Sequence, residues 1–165
     1  MTQYYTLKDR FWYDMSELYS VQKNALNLLP AIANESGDRQ LQNLVQQATQ
    51  DMQQHMRDLE QCFKAENIHP TAVTGDTVMG LRQEHALLDA TSATHAQILA
   101  YDFHALARIF SYQVAAYRAV TDIARLLGDT QCEQTLQKDL QHVEDFSRQL
   151  EQMRSQIGER AGVGA

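Results

Sequence analysis

Four stretches of this chain repeat one spacing, with apolar residues at alternating steps of four and three, the pattern of a helix that buries one face in a bundle. The first carries Phe11, Met15, Leu18, Ala25, Leu29 and Ile32, and the second Leu41, Val45, Ala48, Met52, His55, Leu59 and Cys62. The third runs from about Thr94 to Leu127 through Leu99, Phe103, Leu106, Phe110, Gln113, Tyr117, Val120 and Ala124, and the fourth through Leu136, Leu140, Val143, Ser147, Leu150 and Ile157. Such a set commits the chain to helices stacked on one another. Its composition agrees: two prolines and seven glycines interrupt 165 residues that are 44% hydrophobic and rich in helix-tolerant Gln, Leu, Ala, Glu and Arg. That length supports one continuous core and one domain.

Local signals place the helix ends. Thr6 reads as an N-cap with Asp9 three residues on, and Pro30 should kink the first helix or loosen its end. Asn34 to Asp38 reads as a turn short enough to make the first two helices antiparallel. Between Ala65 and Ser92 lies a connection of about a helix length, with His69-Pro70, Gly75-Asp76 and a short amphipathic piece from Val78 to Leu88. A connection of that length travels along the bundle, as in ferritin-like topology. Gly128-Asp129-Thr130 ends the third helix and caps the fourth. The expectation is an all-α, ferritin-like four-helix bundle with a short helix in the long crossover, one domain over residues 1–157, and a disordered tail over 158–165.

Acidic residues outnumber basic ones by 21 to 14, a formal charge of -7, and no basic face forms. Nucleic acid and anionic membranes are therefore disfavoured as partners, and neither is expected. No stretch approaches the roughly 20 apolar residues that span a bilayer, and no basic, apolar leader opens the sequence, so the expected location is the cytoplasm. Cys62 and Cys132 match no zinc or redox spacing and read as reduced structural thiols. The glutamines at 46, 47, 50, 53 and 54 read as a solvated helix face.

Each long stripe is interrupted once near its middle by a polar residue: Gln22, His55, Gln113 and Ser147. Stripes that meet in a core bring their centres into one layer. Leaving a buried polar group unpaired costs about 1–3 kcal/mol, so these four should bond to one another, to shared water, or hold something. The middle of a bundle is also where dimetal carboxylate centres are built, from a Glu on each of two helices and Glu-x-x-His on the other two. Here the residue types differ. Gln22 and Gln113 offer neutral amide oxygens, and Met52 and Val143 occupy positions that would complete Glu-x-x-His. Asp51 and His55, at i and i+4, form one possible ligand pair, with His142 a third donor one residue off the last stripe. The simpler reading of His55 is a core histidine bonded to Gln22, Gln113 or Ser147. His69, His85, His95 and His104 show no ligand spacing, and His85 beside Glu84 reads as solvated. Tyr4, Tyr5, Trp12 and Tyr13 give the N-terminal segment an aromatic surface suited to a homodimer contact. No phosphate loop, nucleophile elbow or Cys-His pairing is present.

The segments FWYDMSELYSVQKNALNLLPAIA, HMRDLEQCF, TAVTGDTVMGLRQE, YQVAAYRAVTDIARLLGD and LQKDLQHVEDFSRQL, in this order over about residues 10 to 152, resemble the YciE/YciF family of bacterial ferritin-like stress proteins. The resemblance implies the bundle fold and a dimer. It also implies a Glu where Gln22 stands and an acidic residue followed by His, matched by Asp51 and His55. In the third long helix it implies Glu-His-Tyr-Glu where Phe110, Ser111, Tyr112 and Gln113 stand. In the last helix it implies paired Glu at His142 and Val143, and an Asp at Ser147. Most of the implied dimetal ligands are thus replaced.

Two functions remain open. In one, the chain is a metal-free, non-catalytic structural or binding module linked to bacterial stress, and the former site is a buried hydrogen-bond cluster. In the other, Asp51, His55 and His142 hold iron or manganese, with Gln22 and Gln113 as secondary ligands, in iron or peroxide stress. The first is favoured, because exchanging carboxylates for isosteric amides keeps shape and removes charge. No cofactor is then expected, and a protein partner or the homodimer face would carry the function.

Overall fold

A computed structural model describes residues 5–35, 37–71, 76–91 and 94–162. Its elements are α1 (Leu7–Glu35), α2 (Arg39–Ala65), α3 (Asp76–Asp89), α4 (His95–Leu127) and α5 (Thr130–Gly162). The chain folds as a ferritin-like helical bundle, with no strand among the described residues.

The helix ends form where short polar side chains meet orphan backbone groups. Thr6 and Asp9 cap α1 reciprocally: the Thr6 N–H donates to Asp9 Oδ2 at 3.0 Å and the Asp9 N–H to Thr6 Oγ1 at 3.1 Å. Asp38 accepts from the Gln40 and Leu41 N–H groups at 2.8 and 3.0 Å and opens α2. Thr94 and Gln97 form a capping box on α4. Gly128, at φ +73°, lets the Asp129 N–H reach back to the Ala124 carbonyl at 3.1 Å. Asp129 Oδ1 then accepts from the Cys132 N–H at 3.0 Å, so two residues close one helix and start the next. Pro30 deprives α1 of one backbone donor, yet the helix continues to Glu35. The last helix runs past Ile157 to Gly162, farther than the apolar period alone suggests; residues 163–165 of the expected tail lie outside the described residues.

The hairpins α1–α2 and α4–α5 pack so that α1 touches α4, α2 touches α5, and α3 lies against α1 and α4. The Lys8 ammonium meets Glu66 at 2.7 Å, which puts the start of α1 beside the end of α2. The His95 ring lies next to Gly37, so α4 starts at the α1–α2 turn, the end of the bundle opposite to where α2 finishes. The crossover therefore travels the bundle's length, as a ferritin-like topology requires. Tyr101 holds α3 in place by donating to the Leu81 carbonyl at 2.9 Å.

The expected stripes of α1 and α2 are buried throughout. On α4, Leu99 is half-buried and Leu127 is exposed at the helix end. On α5 the buried set is Cys132, Leu136, Asp139, Val143, Phe146 and Leu150, so the stripe is rotated from the one hydropathy selects. Leu140 and Ser147 are only half-buried. The Phe146 ring, 4.0 Å from that of Phe110, seats the helix in this rotation, and the acidic Asp139 goes in where Leu140 was expected.

Candidate functional site

The rotation of α5 builds the site. Asp139 and His142 stand at i and i+3 and so share a face of that helix. His55, from the middle of α2, meets them across the α2–α5 seam. His55 Nε2 lies 3.4 Å from His142 Nδ1 and 3.8 Å from Asp139 Oδ1. The two imidazoles stack, with centroids 5.6 Å apart and planes inclined by 18°. One nitrogen from each histidine and one Asp139 oxygen all lie within 4.8 Å of one another. His55 is 2% exposed and Asp139 0%, whereas His142 is exposed and lines an open groove with Gln47, Asp51 and Asp145.

The electrostatics follow from that burial. Desolvation, then the nearby His142 ring, lowers the His55 imidazole to about 4, so it is neutral at physiological pH. Desolvation raises the Asp139 carboxyl to about 8, and the carboxylate of Asp58 adds to the shift. The Asp139 carboxyl shares a hydrogen bond with Asp58 and accepts from no N–H group among the described residues, and His55 Nδ1 is buried without a partner there. Asp58 is better served: it accepts from Gln54 Nε2 at 2.8 Å and faces the Lys138 ammonium at 3.5 Å.

The α1–α4 side of the centre is neutral. Gln22 and Gln113 are both 0% exposed. The Gln22 amide donates to the Tyr117 hydroxyl, while its own carbonyl and both polar atoms of the Gln113 amide lack partners. Tyr117 is fully enclosed, and its ring stands edge-on to His55 at 5.8 Å between centroids. Burial pushes its hydroxyl well above the usual tyrosine range, so it stays protonated.

Of the residues singled out from sequence, the structure brings His55 and His142 together and leaves the others apart. The partners of His55 are His142 and Asp139, with Tyr117 against its ring, rather than Gln22, Gln113 or Ser147. Asp51 is half-buried at the groove, where both its oxygens accept from Gln47 Nε2 at 3.5 Å, and Asp139 occupies the place by His55 that it was expected to take. Ser147 is half-buried beside the core residue Phe146. The missed residue, Asp139, carried a legible signal. Asp139-x-x-His142 has the spacing of the Glu-x-x-His element of bundle metal sites. His85 is also corrected: it is buried, 5% exposed, with Nε2 3.2 Å from Asp102 Oδ1.

A dimetal carboxylate centre does not fit this donor set. Two dications need several anionic oxygens, and the amides of Gln22 and Gln113 supply none. Among the described residues, the His, Cys, Asp and Glu side chains that converge closely enough to share an ion are His55, Asp139 and His142.

Residues 6–161 match the family described as Domain of unknown function (DUF892). The chain belongs to the DUF892 family. No curated protein matches it in sequence. Its bundle superposes on the Escherichia coli stress protein YciF with a TM-score of 0.86 at 17% identity, covering 93% of this chain and 98% of that one. YcfI from Rhodopseudomonas palustris gives 0.83 at 18% identity, covering 92% and 97%. A protein from Xanthomonas campestris pv. campestris gives 0.70 at 18%, covering 94% and 98%. At these identities the likeness establishes that this DUF892 protein shares their fold.

Proposed function

We propose that this DUF892 protein is a non-catalytic structural or binding module of a bacterial stress response, a ferritin-like bundle that keeps its shape without dimetal chemistry. The observation that carries the reading is the neutral α1–α4 side of the centre. The Gln22 amide is bonded to Tyr117 and the Gln113 amide lies one turn away, both fully buried where a dimetal centre calls for carboxylates. The link to stress rests on the likeness to YciF, which is described as a stress protein. Tyr5, 71% exposed, and Tyr13, 41%, border a surface depression with Trp12 and Ile68, which supports a homodimer through this face.

Ferrous iron added to the purified protein in air, and separately with peroxide, tests the main claim. Oxidation should run no faster than in buffer. Multiple turnovers that depend on the protein and are lost in Gln22→Ala and Gln113→Ala would overturn it. A second reading, metal binding in iron or peroxide stress, is favoured by the convergence of His55, Asp139 and His142.

A further inference from the structure

The groove between α2 and α5 ends at three donors that the neutral half of the centre does not use. From them we infer that His55, Asp139 and His142 form a mononuclear site for one divalent transition ion, binding zinc among others, which ties α2 to α5. This goes beyond the proposed function, because an ion held in this way cross-links helices and need carry out no oxidation.

Geometry is the first argument. Two nitrogens bonded at about 2.05 Å to one tetrahedral ion lie roughly 3.3 Å apart. His55 Nε2 and His142 Nδ1 are 3.4 Å apart. The 3.8 Å from His55 Nε2 to Asp139 Oδ1 corresponds to a ligand angle of about 136° for bonds of that length, wider than tetrahedral. The donors all lie within 4.8 Å of one another, and the widest pair must close to below about 4.1 Å, twice the bond length, for one ion to reach all three. His142 can supply this closure, because its exposed ring moves without disturbing the core.

The second argument is the state of the buried atoms. A buried carboxyl without a donor is rare in a native protein and needs an explanation. At 0% exposure Asp139 accepts from no N–H group among the described residues, and its hydrogen-bond partner is another acid, Asp58. A cation would supply the positive charge that a hydrogen bond between two acids does not. Asp58 is balanced by Lys138 at 3.5 Å, so the ion would be set against Asp139.

Two imidazoles with one carboxylate select borderline ions such as Zn²⁺, Co²⁺ or Fe²⁺ over Mg²⁺ and Ca²⁺, which prefer oxygen throughout. Binding releases the proton that Asp139 carries, and any proton between the two facing nitrogens moves to a far ring nitrogen so that both lone pairs reach the ion. The groove gives access and leaves the outer side of the ion to water. This set lies at the α2–α5 seam, away from Gln22 and Gln113, and includes Asp139 in place of Asp51.

The test is to strip the full-length protein with chelator and titrate it with Co²⁺ and then Zn²⁺, following visible ligand-field bands and heat. One Co²⁺ should bind per chain, with bands of a low-coordinate site, and Zn²⁺ should displace it. Asp139→Asn and His142→Ala should each weaken binding at least about tenfold, while Asp51→Asn changes it less than about twofold as a groove carboxylate outside the set. His142 is exposed, so His142→Ala keeps the test decisive even if His55→Ala fails to fold. Absence of stoichiometric binding, or binding that survives both Asp139→Asn and His142→Ala, would overturn the site. Two ions per chain would also overturn it, whereas iron turnover with one ion bound would overturn the proposed function and leave the site standing.

Discussion

Two buried His–Asp contacts lie in this bundle, and they have different consequences. His85 and Asp102 join α3 to α4 at 3.2 Å, and Tyr101 packs beside His85 with ring centroids 6.0 Å apart. His55 and Asp139 join α2 to α5 at 3.8 Å, with His142 on the solvent side within reach of both. The first is the closer approach and lies where the crossover helix meets the bundle. The second is too long for a hydrogen bond, and the Asp139 carboxyl is hydrogen-bonded to Asp58 instead. The same two residue types thus meet as a close pair in one place and as part of a three-donor cluster in the other. Separation and the presence of a third donor make the difference, and neither can be read from residue identity.

The largest expected effect tests the close pair. Asp102→Asn alters a fully buried carboxyl 3.2 Å from His85 Nε2 and should cost about 1–3 kcal/mol in urea unfolding, the range for disturbing a buried polar group. A loss below about 0.5 kcal/mol would mean that the His85 contact does not hold α3, and the comparison breaks. Its zinc affinity should remain that of the unmodified protein.

Next comes an acid with no imidazole in reach. Gln113→Glu places a carboxyl at a fully buried position whose amide has no partner among the described residues. It should destabilise the chelated protein by about 1–3 kcal/mol at pH 7, because the new group must stay protonated or lose its hydration. The loss should shrink toward pH 4, where the acid is protonated in both states. An equal loss at both pH values would show that packing, and not charge, sets the cost.

A smaller effect sharpens the crossover side. Tyr101→Phe removes the bond to the Leu81 carbonyl and should cost about 1 kcal/mol at neutral pH. Burial, then Glu84, raises the Tyr101 hydroxyl to about 12, above its ordinary value of 10. A pKa raised in the folded state contributes stability that is complete below pH 10 and lost as pH rises through 12. Unfolding followed across that window should show the unmodified protein losing more stability than Tyr101→Phe does. Parallel curves would remove the hydroxyl from the account of how α3 is anchored.

The smallest effect is the counterpart of the first. Asp139→Asn is nearly isosteric and its amide can donate to Asp58 as the protonated carboxyl does, so the chelated protein should change by less than about 1 kcal/mol. The same substitution should abolish the rise in melting temperature that zinc gives the unmodified protein, since an ion that binds only the folded state stabilises it. If Asp139→Asn costs the metal-free protein as much as Asp102→Asn, the two contacts are equivalent and the distinction between close pair and site is lost.

The course of the helices was legible in the residues because it depends on local chemistry. Thr6 with Asp9, Asp38, and Gly128 with Asp129 mark helix ends through bonds that span a few residues. The stripes of α1 and α2 mark faces through a spacing that every bundle helix shares. Even the crossover was implied by the length of chain between α2 and α4.

The polar interior was legible only in part. Gln22, His55 and Gln113 were visible as interruptions of apolar stripes, and all three are buried. Asp139 and Asp102 were not, since an acidic residue on a helix is normally solvated and hydropathy assigns it outward. His85 was misplaced for a similar reason: its partner Asp102 stands 17 residues away across a helix junction.

What the sequence by itself determined is the number of long helices, the buried faces of α1 and α2, and the capped helix ends, because hydrophobic period and capping act within one helix. Which residues meet at the α2–α5 seam was decided by the tertiary structure alone. A small rotation of α5, set by Phe146 against Phe110, exchanges Leu140 for Asp139 at the core and brings that carboxyl to His55 and His142. Period counting does not resolve such a rotation, since neighbouring positions on a helix differ by a fraction of a turn and only packing against the other helices chooses between them.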